Sequence, residues 1–185
     1  MYGIINRFFK DFFQQNFGED EWSKIAKILD IEKLYFMGMK QYPDQITYGI
    51  VSVASEKLEI DQEKILYLAG TKWVDFILET EFNYVFKVFG DNLFDFMKNL
   101  DNLHFNVTNV IPGIKPPSFK CTNVTQDTLY LHYYSDRPGL DSFVEGLIMG
   151  LATFFNKKIS ITLQNSKDEN NDHSIFFVVI LGDRT

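Results

Sequence analysis

Apolar residues recur three and four positions apart through the first half of the chain, and largely two apart in its second half. From Tyr2 to Phe17, the residues Ile5, Phe8, Phe9, Phe12, Phe13 and Phe17 keep helical spacing, and Gly18 sits where a C-terminal cap belongs. Asp20 to Leu29 is a second predicted helix, with Trp22, Ile25 and Ile28 on one side. A turn-rich link from Met37 to Pro43 leads to a predicted helix over Asp44 to Leu58, whose stripe is Ile46, Ile50, Val53 and Ala54. Asp61 then reads as the N-cap of Gln62 to Ala69, with Glu63 placing negative charge in the first turn. More helix is expected through Trp73, Phe76 and Ile77, and a shorter piece around Tyr84 to Phe89. Asp91 is expected to cap the longest helix, which runs through Phe94, Met97, Leu100, His104 and Val107 towards Val110. That helix must stop at IPGIKPP, because Pro112, Gly113, Pro116 and Pro117 oppose its continuation.

Beyond the prolines the period changes. Phe119 to Asn123 and Thr128 to Ser135 read as strands, Gly139 to Phe155 as a helix with Gly146 and Gly150 for close packing. Ile159 to Gln164 and Ser174 to Leu181 read as a hairpin around the polar loop NSKDENND. The expected fold class is α+β: a helical N-terminal region, then a small four-stranded antiparallel sheet packed with helices, in one domain over residues 1–185.

Composition narrows the function. The chain has 185 residues, enough to bury a real core, and its nineteen Phe favour an apolar pocket lined by rings. A net charge of −7 with no Lys or Arg run makes nucleic acid an unsuitable partner. In MYGIINRFFKDFF, Arg7, Lys10 and Asp11 interrupt the apolar run, so no signal peptide is expected, and no later segment could span a bilayer. The single Cys121 allows no intrachain disulfide and no Cys cluster for zinc. A soluble, cytoplasmic protein is expected.

Of three histidines, His132 shares a strand face with Tyr130 and Tyr134, and His173 sits at a loop mouth; both read as structural or surface residues. His104 follows Leu93, Met97 and Leu100 on the apolar face of its helix. Two readings fit it: a core histidine satisfied by a hydrogen bond, or an axial ligand to haem iron, which takes a neutral imidazole. Spacing does not decide between them. In YYSDRPGL, two-residue spacing puts Tyr133, Ser135 and Arg137 on one face, continuing from Leu129 and Leu131. Two hydroxyls and a guanidinium fork would suit the carboxylates of a flat apolar molecule, though an ordinary strand end emerging into solvent has the same pattern.

Taken together, these residues resemble the H-NOX (haem nitric oxide/oxygen binding) family, which pairs a proximal histidine on a long helix with a Tyr-x-Ser-x-Arg motif. MYGIIN, LDNLH, PPSFKC, LHYYSDRPGL and GLIMGL carry the resemblance in order across nearly the whole chain, most closely to stand-alone bacterial members. The resemblance implies haem b, held noncovalently since no C-x-x-C-H is present, with His104 as proximal ligand and Tyr133, Ser135 and Arg137 on the propionates. It implies that Pro117 presses on the porphyrin, and that Ile5, Phe9, Trp73 and the helix after the propionate motif line the distal side. It also implies a helical distal part, 1–60, and a proximal α/β part, 61–185, and no Cys-rich zinc site of the kind some relatives carry. Oxygen-binding members have a distal Tyr; the matching position here is Phe143, or Ser142 when counted from Arg137. Losing that hydrogen bond weakens oxygen by roughly 1 kcal/mol or more, so the resemblance implies a sensor of nitric oxide, also taking carbon monoxide. Nitric oxide would break the iron bond to His104, relax the haem near Pro117 and shift the N-terminal helices, read by a separate histidine kinase or cyclic-di-GMP enzyme.

The alternatives are an oxygen-binding or redox-sensing haem protein, or a haem-free module binding a lipid or peptide in a Phe-lined pocket. A peroxidase-like enzyme would need a distal His–Arg pair, which the sequence does not show, so no enzymatic activity is expected.

Overall fold

The computed structural model describes residues 1–110, 115–168 and 170–184; Pro112 and Gly113 lie outside them. The Phe-rich stripe of α1 (Gly3–Phe17) buries Phe8, Phe9, Phe12 and Phe13, and the helix ends where the Gly18 backbone N–H donates to the Gln14 carbonyl. Helices α2 (Glu19–Ile28) and α3 (Asp44–Leu58) fold against it, and Trp22, Ile25, Ile50, Val51 and Ala54 close this first core. The long α4 (Gln62–Leu78) runs unbroken through Trp73, Phe76 and Ile77, as the pattern predicts. Asp61 stands at its N-cap position but makes no side-chain cap bond.

The predicted helix through His104 is two helices. Asn92, not Asp91, is the cap: its side chain accepts from the Asp95 N–H at 3.0 Å and starts α6 (Leu93–Lys98), after the short α5 (Val85–Val88). The chain leaves helical geometry at Asn99 (φ −96°, ψ 3°), where the side-chain amide donates to the Asp95 carbonyl at 3.1 Å and competes with the backbone ladder. Helix α7 (Leu100–Val110) follows and carries His104.

The sheet contains β1 (Ser118–Thr122), β2 (Thr128–Tyr134), β3 (Lys157–Asn165) and β4 (Ser174–Asp183) in the order β1-β2-β4-β3, all neighbours antiparallel. Alternation along β2 buries Leu129, Leu131 and Tyr133 on one face and leaves Tyr130, His132 and Tyr134 half-buried on the other. Between β2 and β3, α8 (Asp141–Phe154) covers the inner face. The α+β class and the four-stranded antiparallel sheet agree with the sequence pattern.

Helices α4 and α8 join the two cores. Ile65, Leu66 and Ala69 of α4 belong to the helical core, and Val74 and Ile77 to the core under the sheet. The helices cross at Gly70 and Gly146, where backbones touch: a Cβ on Gly146 would lie 2.1 Å from the Tyr67 carbonyl oxygen, and one on Gly70 2.2 Å from that of Phe143. Backbone cannot move aside cheaply there. Gly146→Ala should therefore cost about 1–3 kcal/mol, read as a lower urea midpoint. Gly38→Ala, where a Cβ meets nothing within 4 Å, is the control and should leave the midpoint unchanged.

Candidate functional site

His104 is fixed from two sides. Its Nδ1 lies 2.9 Å from the Leu100 carbonyl one turn earlier, and its ring stacks on Phe119 with centroids 5.5 Å apart. A further bond holds the two elements together, since the Phe119 N–H of β1 donates to the Asp101 carboxylate of α7 at 2.8 Å. A carbonyl oxygen only accepts, so Nδ1 must carry the proton and the lone pair must sit on Nε2. Among the described residues Nε2 meets no hydrogen-bond partner. Burial pushes the His104 pKa down, against the opposing effects of the Leu100 hydrogen bond and the Asp101 charge, which keeps the ring neutral. The residue is nonetheless only half-buried. A neutral imidazole with one nitrogen anchored and the other presenting a lone pair is the state in which histidine ligates metal, so these residues fit a haem iron.

Strand β2 and the turn after it position the second group. Tyr133 is 5% exposed, and burial raises its pKa while a hydrogen bond with Ser135 works against the rise. The Ser135 hydroxyl accepts from the Arg137 N–H at 3.1 Å and so shapes the turn. Arg137 Nε donates to Asp44 of α3 at 2.9 Å, and its Nη1 to the Lys115 carbonyl at 2.9 Å. Tyr133, Ser135 and Arg137 border a cavity of about 550 Å³ with Asp141, Ser142 and Lys167. The three residues thus converge, as the strand period requires.

Asp44 is the residue that the sequence does not reveal. Partial burial opposes its ionisation, but hydrogen bonds and charge from the Met1 ammonium and Arg137 outweigh that and lower its pKa. Tyr48, one turn on in α3, donates to the Pro138 carbonyl at 2.9 Å. Together they tie the start of α3 to the turn that carries Arg137.

The expected distal residues lie on α1, α4 and α8. Phe143 packs at 6.1 Å from Phe9, 6.2 Å from Trp73 and 6.3 Å from Phe8, and Phe8 meets Trp73 edge-on at 5.1 Å. Phe76 joins them, 5.3 Å from Phe8 and 5.8 Å from Trp73. Ile5 is half-buried beside this group. Ser142 borders the polar cavity instead. Phe8 and Phe76 were not singled out from the sequence, although their helical spacing to Phe9 and Trp73 carried the signal. Pro117 is half-buried, immediately before β1. Cys121 lies apart from these groups in β1, half-buried, its thiol pushed up to about 11 by burial despite the nearby Lys98 charge.

Comparison with known proteins places this arrangement in context. Residues 2–163 match the family described as Haem-NO-binding. The soluble guanylate cyclase gcy-31 of Caenorhabditis elegans is 28% identical over 177 residues, covering 95% of this chain and 25% of that protein. The chain therefore spans about a quarter of that relative's length. An H-NOX protein from S. oneidensis in the Fe(II)NO ligation state superposes with a TM-score of 0.88 at 19% identity, covering 98% of this chain and all of the other. An oxygen-binding H-NOX domain related to soluble guanylate cyclases, solved as its oxygen complex, gives 0.85 at 21% identity over 100% and 97% of the two chains. At these identities, the superpositions establish a shared fold.

The Asp44 clasp has a defined pH signature. Its folded pKa lies below the unfolded value of about 3.9, so its stabilisation is fully present above that range and fades as pH falls through the folded pKa. Asp44→Asn should lower the unfolding midpoint at pH 7, and the gap to the parent should close below about pH 4. A gap undiminished at pH 3 would show that the carboxylate charge is not what holds the clasp.

Proposed function

Because the chain belongs to the haem-NO-binding family, whose members bind haem and act as sensor modules rather than catalysts, we propose that it is a gas sensor responding to nitric oxide at ferrous haem. The observation that carries this reading is the tautomer of His104, neutral, anchored through Nδ1 and open at Nε2. In this reading His104 Nε2 holds the iron, and Tyr133, Ser135 and Arg137 hold the propionates. Pro117 bears on the macrocycle, and Ile5, Phe9, Trp73 and Phe143 form the distal wall.

Haem, when bound, would supply a ferrous iron able to take a diatomic gas, with His104 as the protein residue that would hold it. The bond of His104 to the Leu100 carbonyl and its stacking on Phe119 would hold the ring in place whether or not it carried the iron. Pro117 would bear on the macrocycle while His104 held it, and residues 1–60 would be the part free to shift relative to residues 61–185 when that hold changed. Arg137 lies on that path, since Asp44 links it to α3. Output then passes to a separate signalling protein, the histidine kinase or cyclic-di-GMP enzyme implied by the sequence resemblance.

Selectivity follows from the wall. Phe143, Phe8, Phe9 and Phe76 offer no hydrogen-bond donor, and bound oxygen, which carries partial negative charge, needs one more than nitric oxide or carbon monoxide does. One observation favours a second reading, oxygen binding: Trp73, whose indole carries an N–H donor, packs against Phe8 and Phe143.

Two experiments test the proposal. His104→Gly should lose stable haem and regain a loaded spectrum when imidazole is supplied; an unchanged histidine-ligated spectrum would overturn the ligand assignment. Reduced parent protein equilibrated with air should show no long-lived oxygenated spectrum, while nitric oxide should give the spectrum of a haem that has lost its histidine. Phe143→Tyr should move the protein towards oxygen retention. A stable oxygen complex in the parent that disappears in Trp73→Phe would establish the second reading.

A further inference from the structure

On the outer face of the sheet, away from the site described above, two histidines meet. His132 projects from β2 on the half-buried side of the strand, and His173 stands one residue before β4. Because His132 is registered with Ile175 and Tyr133 with Ser174, His173 falls diagonally beside His132 and opposite Tyr134, whose ring stacks on it at 4.2 Å. His132 Nδ1 and His173 Nε2 lie 2.8 Å apart.

Each remaining ring nitrogen is tied down. His173 Nδ1 bonds to the carboxylate of Asp172, and His132 Nε2 lies 2.8 Å from the Thr122 hydroxyl of β1. A carboxylate only accepts, so His173 carries its proton on Nδ1 and presents a lone pair at Nε2. His132 must then donate from Nδ1 across the 2.8 Å gap, while its Nε2 accepts from Thr122. The outer nitrogens are oriented by a carboxylate and a hydroxyl, as outer partners orient metal-bound imidazoles, and the inner nitrogens face each other across 2.8 Å.

We propose that His132 and His173 form a second metal site, a two-imidazole chelate for a divalent ion of the Zn²⁺ class on the outer face of the sheet. The separation suits it. Two nitrogens each about 2.0–2.1 Å from a tetrahedral Zn²⁺ stand about 3.3 Å apart, so the rings need to open by about half an ångström. The proton between them has a destination: His132 shifts it from Nδ1 to Nε2, where the Thr122 oxygen can accept, and binding releases no net proton. Burial, then the neighbouring His173 and Lys120, lowers the His132 pKa, which keeps that ring neutral and able to ligate. The charges that face the site are Asp172, which favours a cation, and Lys120, registered opposite His132 on β1, which opposes one. Among the described residues no third His, Cys, Asp or Glu joins the pair, so water completes the coordination and the ion is exchangeable. Imidazole donors select Zn²⁺, Cu²⁺ or Ni²⁺ over Mg²⁺ or Ca²⁺. An ion here would clip the β3–β4 loop to β2, on the strand that carries Tyr133.

Zn²⁺ titration calorimetry on tag-free protein as purified tests this. The parent should bind one ion through these residues, and His132→Gln and His173→Gln, which keep hydrogen-bonding capacity, should each abolish that binding. Asp172→Asn should weaken it by about tenfold, the cost of losing an orienting partner, and Lys120→Gln should tighten it. Long-range ¹⁵N–¹H spectra should show Zn²⁺ moving the resonances of His132 Nδ1 and His173 Nε2. Binding that survives both Gln variants, or no binding below millimolar Zn²⁺, would overturn the proposal and leave the pair as a hydrogen-bonded relay. Neither result depends on haem, so the haem reading stands or falls separately.

Discussion

The contact on which the rest of the molecule depends is the backbone-to-backbone crossing of α4 and α8 at Gly70 and Gly146. With side chains there, the helices would stand further apart, and Trp73 of α4 could not meet Phe143 of α8 at 6.2 Å. The same crossing lets α4 serve both cores at once, its first half closing the helical one and its second half the one beneath the sheet. Aromatic contacts worth about 0.5–1.5 kcal/mol each then accumulate between α1, α4 and α8, so the ring cluster is a product of this close approach and not only of Phe abundance.

The histidines share one electrostatic logic put to different ends. In each case a group that can only accept fixes where the proton sits. For His104 it is the carbonyl of Leu100, inside an apolar setting that holds the ring neutral. For His173 it is the carboxylate of Asp172, at the protein's surface, and the consequence passes through His132 to Thr122. Residue type alone would not separate these roles; the partner at the far nitrogen does.

Much of the fold was legible because the periods were clean. Leu129, Leu131 and Tyr133 alternate with polar neighbours, and the buried face of β2 follows directly. The break at Asn99 was not legible, because apolar spacing continues through it from Met97 to Leu100 and only the local competition of an amide side chain ends the helix. Convergence of Tyr133, Ser135 and Arg137 could be read from strand geometry, whereas Asp44, 93 residues from Arg137, leaves no trace in local pattern. His132 and His173 each looked like ordinary surface residues for the same reason: 41 residues separate them, and only the pairing of β2 with β4 makes them neighbours.

The half-buried thiol of β1 bears on how such a protein meets reactive gases. With its pKa raised to about 11, Cys121 holds only about one molecule in ten thousand as thiolate at pH 7. Nitrosation and peroxide oxidation both run through that anion, and the chain has no other sulfhydryl. Nitrogen oxides and oxidants therefore meet a poorly reactive thiol at Cys121. A signal carried by the His104 region would not be blurred by slower, longer-lived covalent marks on this thiol.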